Sequence, residues 1–128
     1  MENTVNTTRP IHLDLTRMKF PPMAIVSILH RISGVLLFLL LPLVLYLLHA
    51  ALHSQDSFTQ LQAFTALSSV RFFLWVLICA AGFHLLAGIR HMIMDCGLAE
   101  HLKSARVTAY LIFMLEVIVM IFAGVWLW

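Results

Sequence analysis

The sequence predicts an all-α integral membrane protein with three transmembrane helices, and three observations carry that prediction. Hydrophobic residues make up 62% of the 128 residues and charged residues 11%, far from the balance of a soluble globule. The apolar residues fall into three long runs, each long enough for a bilayer core about 30 Å thick, which needs about 20 residues of helix. The connections between the runs are short, so no soluble catalytic domain fits.

In chain order, residues 1–22 form a polar, basic arm. Arg9-Pro10 and Pro21-Pro22 disfavour helix just before them, and Arg9, Arg17 and Lys19 supply the charge. The stretch Met1 to Thr8 has no cationic segment followed by an apolar run, and it carries Glu2 where an organellar presequence is Arg-rich. The arm therefore reads as that of a bacterial inner-membrane protein. The membrane domain is 23–128, with spans expected at about 23–48, 71–94 and 108–128.

Span one is polar in its first turns, at Ser27, His30, Arg31 and Ser33, and apolar from Val35 onwards. Pro42 should kink it, which neighbouring helices accommodate inside a membrane. The connection from His49 to Ser69 lacks Lys and Arg, and Phe58, Leu61, Phe64 and Leu67 recur at near-helical spacing, which suits a short interfacial helix. After span two comes a basic connection with His101, Lys103 and Arg106, and span three ends in Trp126-Leu127-Trp128, aromatics suited to the membrane interface.

Cations set the orientation, because short loops rich in Lys and Arg stay cytoplasmic. All but Arg71 lie before or inside the start of span one, or at and after the end of span two. The N-terminus and the second connection should therefore be cytoplasmic, and the first connection and C-terminus periplasmic. A net charge of +2 with no basic run interleaved with aromatics gives no sign of nucleic-acid binding, and membrane lipid accounts for the cations. Cys79 and Cys96 form no CxxC pair and no CxxCH haem-attachment sequence, so both read as free thiols.

Two polar constellations interrupt the apolar pattern near the same membrane face. In the first, Ser27 and Arg31 share a helix face with His30 beside them and Gly34 one turn on. Arg31 alone reads as a topology anchor; three hydrogen-bonding side chains of different acidity on adjacent positions are also what binding and protonating a carbonyl needs. In the second, His84, Gly88, His91 and Asp95 follow one another along one face of span two. His84 lies about 15 Å, or ten residues, inside the bilayer. Its imidazole either hydrogen-bonds between helices or ligates a haem iron through one ring nitrogen while the other donates to a backbone carbonyl. Gly88 would let a flat macrocycle or a second helix approach, and Arg90 and His91 lie where the propionates of a haem held at His84 would point. His49 and His53 have the spacing of a metal pair but only Asp56 to accompany them, and they read as solvated interfacial residues. Glu116 is the remaining intramembrane charge and receives no catalytic role.

The run Ser27-Ile28-Leu29-His30-Arg31-Ile32-Ser33-Gly34, together with His84, Gly88-Ile89-Arg90-His91-Met92 and Asp95, and Arg9-Pro10 with His12-Leu13-Asp14-Leu15, resembles the cytochrome b membrane-anchor subunits of succinate dehydrogenase, respiratory complex II, of the proteobacterial kind. Length and three-span layout match over nearly the whole chain. The resemblance implies that the helices pack in a bundle with a second, smaller anchor subunit. His84 would be an axial ligand of haem b, with the other axial histidine supplied by that subunit. It further implies that Ser27 and Arg31 belong to a ubiquinone-reduction site, and that His30, Arg31 and His91 lie near the haem propionates or the quinone pocket. Iron-sulfur and flavoprotein subunits would complete the complex. Glu116 and Arg71 inherit nothing. Two rival readings share the same parts: a haem-bearing anchor of a fumarate reductase or other quinone enzyme, and a cofactor-free structural membrane protein.

Overall fold

A computed structural model describes residues 20–98 and 101–128. Four helices follow in order, α1 (Pro22–His53), α2 (Gln55–Thr65), α3 (Ser68–Asp95) and α4 (Leu102–Leu127), with no strand among the described residues. Three of them, α1, α3 and α4, are long and apolar enough to cross a membrane. The basic arm, with Arg9, Arg17, Lys19 and the His12 to Leu15 stretch, lies outside the described residues.

Each long helix runs past the span expected from hydropathy. The chain before α1 is extended at Pro21, and Pro22 occupies the first turn, where a missing N–H costs nothing. Pro42 sits inside the same continuous helix. Helix α1 passes Leu48 and stops only at His53, because Ala50, Ala51 and Leu52 favour helix and the first competing signal is Ser54. That residue is extended and caps α2: its Oγ accepts from Ser57 N and Ser57 Oγ accepts from Ser54 N, both at 3.1 Å. His49 and His53 thus belong to α1, and the amphipathic segment expected after it is α2.

Helix α3 ends in a Schellman turn. Gly97 has φ of 78°, Leu98 N donates to Ile93 O at 3.2 Å and Gly97 N to Met94 O at 2.9 Å. Helix α4 begins at Leu102, so Lys103 and Arg106 are helical and not in the connection. Its apolar stripe starts early, with Ala105, Ala109 and Ile112 all buried, and that packing carries the helix outward beyond the hydropathic span.

Helix α3 packs against both α1 and α4, antiparallel to each. The core is Val26, Phe83, Ala87, Ala109 and Ile112, joined by Met23, Leu86 and Phe113. Ala87 and Ala109 are small, which lets backbones approach where lipid supplies no hydrophobic drive between helices. Hydrogen bonds tie α3 to α4 at two places far apart along the interface: Trp75 Nε1 donates to Met120 O at 2.9 Å, and Arg90 donates through Nη2 to Ala105 O at 3.1 Å and through Nε to Thr108 Oγ1 at 3.0 Å. Phe38, Leu52 and Val125 are among many large apolar side chains left exposed, the surface a bilayer solvates.

Candidate functional site

The start of α1 and the second half of α3 cross so that two histidines from different helices stack. The rings of His30 and His84 have centroids 4.3 Å apart and planes inclined by 23°. Small residues make the crossing possible. A Cβ on Gly34 would come 2.9 Å from His84 Cε1, and a Cβ on Gly88 would come 3.3 Å from His30 Nε2. Each imidazole therefore lies in the notch left by the other helix's glycine. Gly88 admits a side chain of α1 there.

Polar atoms of α1 orient the His84 ring. Its Nδ1 is 3.1 Å from His30 O and 3.2 Å from Ser33 Oγ, and Ser33 Oγ itself donates to His30 O at 2.9 Å. A carbonyl oxygen only accepts, so a hydrogen bond there places the ring proton on Nδ1. In a neutral ring that leaves the lone pair on Nε2, the nitrogen that makes no hydrogen bond among the described residues. Ser33 is buried although it is polar, because both of its hydrogen-bonding roles are filled locally.

The other expected residues gather around this pair to different degrees. His91 is exposed, its ring centroid 6.3 Å from that of His30, and its Nε2 is 3.9 Å from Asp95 Oδ2. Ser27 and Arg31 are exposed on α1, on the helix face that also carries His30. Arg90 is different. It is only 9% exposed, with Nε donating to Thr108 Oγ1 at 3.0 Å and Nη2 to Ala105 O, so it faces α4 and points away from the histidine cluster. The expectation that Arg90 meets a propionate beside His84 is corrected accordingly: six residues of helix at about 100° each leave Arg90 about 120° round the helix from His84, which turns it to the α4 interface.

Ser33, Gly34 and Thr108 were not singled out for these roles. Ser33 and Gly34 end the first polar run, one turn beyond His30, so their position was visible; which ring they touch was not. Among the described residues no group of three or more His, Cys, Asp or Glu is arranged to hold a metal ion by itself.

The whole arrangement sits in a chain that matches the family described as succinate dehydrogenase/fumarate reductase transmembrane subunit over residues 5–123. This chain belongs to that family. It is 46% identical over 125 residues to the succinate dehydrogenase cytochrome b556 subunit of Coxiella burnetii (strain RSA 493 / Nine Mile phase I), covering 97% of this chain and 100% of the relative. It is 32% identical over 115 residues to the succinate dehydrogenase cytochrome b560 subunit of Reclinomonas americana, covering 84% of this chain and 78% of that one. As a succinate dehydrogenase/fumarate reductase transmembrane subunit with three membrane-length helices, it is a multi-pass membrane protein.

Proposed function

We propose that this chain is the cytochrome b anchor of a succinate:ubiquinone oxidoreductase, holding haem b through His84 and lending Ser27 and Arg31 to the ubiquinone-reduction site. The observation that supports it most is the hydrogen bonding at His84 Nδ1, which leaves Nε2 available while a backbone carbonyl fixes ring orientation. Histidine ligands of metal centres are held in this way. The Gly34 notch accommodates the ring, and the position of His30 and His91 towards the chain's polar end suits carboxylate groups of a haem or the edge of a quinone pocket.

Haem b would supply a one-electron carrier beside the quinone. The partner anchor subunit would contribute a second histidine ligand, since among the described residues His30 is the nearest other imidazole and its ring is stacked against that of His84. In the quinone pocket the Arg31 guanidinium stabilises charge developing on a quinone oxygen, and the Ser27 hydroxyl donates a hydrogen bond to it. Protons enter from the side that carries the N-terminus, which the distribution of cations makes cytoplasmic in a bacterial inner membrane. Electrons come from succinate through a flavoprotein and an iron-sulfur subunit docked on that face. The family description also covers fumarate reduction, for which the same site would run in the other direction.

The test is a dithionite-reduced minus oxidised spectrum of membranes expressing the whole complex, with and without His84→Ala. The expected result is a b-type band that is lost or becomes high-spin in the variant. An assembled complex with no b band in the native protein would leave the His30–His84 pair as a structural contact between helices, the cofactor-free reading.

A further inference from the structure

Glu116 plays no part in this proposal, and its surroundings are unusual. It is 8% exposed, and its Oε2 is buried with no hydrogen-bond partner. It lines an open cavity of about 300 Å³ between α1, α3 and α4, whose walls include Leu36, Trp75, Cys79, Ala80 and Phe83. Of the polar groups nearby, the free thiol of Cys79 makes no hydrogen bond to Glu116, and the two stronger donors are already committed. Trp75 Nε1 donates to Met120 O, and Ser33 Oγ is engaged with His30 O and His84 Nδ1. A carboxyl placed at the depth of a membrane helix requires an internal partner, and the described chain provides none.

We propose that this cavity is a ligand site with Glu116 as its polar anchor, taking an uncharged membrane-soluble molecule with a ring-sized apolar body and one hydroxyl or amide group. The volume is at the small end of ligand pockets, and a mostly apolar wall with one convergent polar group is their usual composition. A hydroxyl or amide both donates and accepts, which complements a carboxyl, whereas an anion would leave its charge unpaired among Leu36, Trp75 and Phe83. A cation, although it could pair with Glu116, would have to cross lipid to reach it. Access is from the lipid, because the cavity is open and lies within the membrane-length part of all three helices. Ser33 lines the cavity on one side and touches His84 on the other, so the site adjoins the histidine pair without including it.

The experiment uses the assembled complex in native membranes and N,N′-dicyclohexylcarbodiimide as probe. A carboxylic acid adds to this reagent: its proton goes to one nitrogen, its oxygen to the central carbon, and an oxygen-to-nitrogen acyl shift then gives a stable N-acylurea with nothing released. Peptide mass spectrometry should find the full reagent mass on Glu116 and none there in Glu116→Gln. Butyl 4-hydroxybenzoate should slow the labelling, with an affinity about tenfold above that of the same body lacking the hydroxyl donor, the effect of one hydrogen bond of the usual strength. Its methyl ether, with the same body and no donor, should at the same concentration give little protection. Ala80→Leu, which fills the cavity and leaves Glu116 in place, should abolish protection by the phenol. Absence of labelling in an intact complex would mean that the carboxyl is closed off by a partner chain or by water, and the proposal fails. Labelling that the phenol and its ether slow equally, or not at all, also overturns it.

Discussion

The imidazole of His84 occupies the space that a side chain on Gly34 would need: a Cβ there comes within 2.9 Å of His84 Cε1 and 3.4 Å of Nδ1. The ring cannot simply step aside, because Nδ1 is held by His30 O. Gly34→Ala should therefore displace the ring or spread α1 from α3, at a cost on the order of 1–3 kcal/mol for overpacking. Gly88→Ala meets only the His30 ring, with Nε2 nearest at 3.3 Å, and that ring bears no comparable tether among the described residues, so a shift of a few tenths of an ångström relieves it. Haem content and thermal stability of the complex should fall clearly for Gly34→Ala and little for Gly88→Ala. Equal losses would show that the two notches are not distinguished by the tether.

Ser33→Ala removes one of two polar atoms at His84 Nδ1 and leaves the His30 carbonyl. Stability should drop by about 1 kcal/mol, the net contribution of one hydrogen bond. A b-type band should persist with a changed reduction potential, because ligand orientation and basicity depend on what the other ring nitrogen meets. A potential identical to that of the native complex would mean that the carbonyl alone orients the ring.

Arg90→Leu separates two roles that look alike in sequence. In the structure the guanidinium bridges to Thr108 and Ala105 on α4. Its loss should weaken the α3–α4 interface by on the order of 2–3 kcal/mol, the range for hydrogen bonds to charged groups. The haem-to-protein ratio of the complex that survives should stay unchanged, and this ratio together with a melting curve is the measurement. Loss of haem at unchanged thermal stability would put Arg90 back beside His84.

Arg31→Leu should abolish most quinone reduction while the b-type band stays. The loss of a preorganised group facing developing charge costs roughly a hundredfold or more in rate. Turnover with a soluble quinone, set against succinate oxidation by an artificial acceptor, isolates the effect. Unchanged quinone turnover would remove Arg31 from the site.

Much of the fold is legible before any coordinates, since transfer from water to lipid is a property of each residue and sums along a run. The three apolar stretches appear as α1, α3 and α4, and the weak amphipathic pattern around Phe58 and Phe64 as α2. Helix ends are less legible. The polar ends of α1 and α4 lie outside the apolar windows, so hydropathy stops early, while backbone hydrogen bonding and the Ala105–Ala109–Ile112 stripe continue. The candidate residues stand out in the sequence for the same reason: His84 is an imidazole inside an apolar run, and Ser27 and Arg31 are a pair sharing one face.

What the sequence determined by itself is therefore which segments enter the membrane and which side chains share a face within one helix, both local consequences of composition and helical geometry. Which helix each face meets was decided only by the tertiary structure. His84 turns to α1, where His30 O, Ser33 and the Gly34 notch receive it, and Arg90, six residues on, turns to α4, where Thr108 and Ala105 O do. The physical reason is that lipid is as apolar as the helix surfaces, so hydropathy does not choose between neighbours. Close packing at small residues and the few available hydrogen bonds choose instead, and both exist only once the helices are assembled.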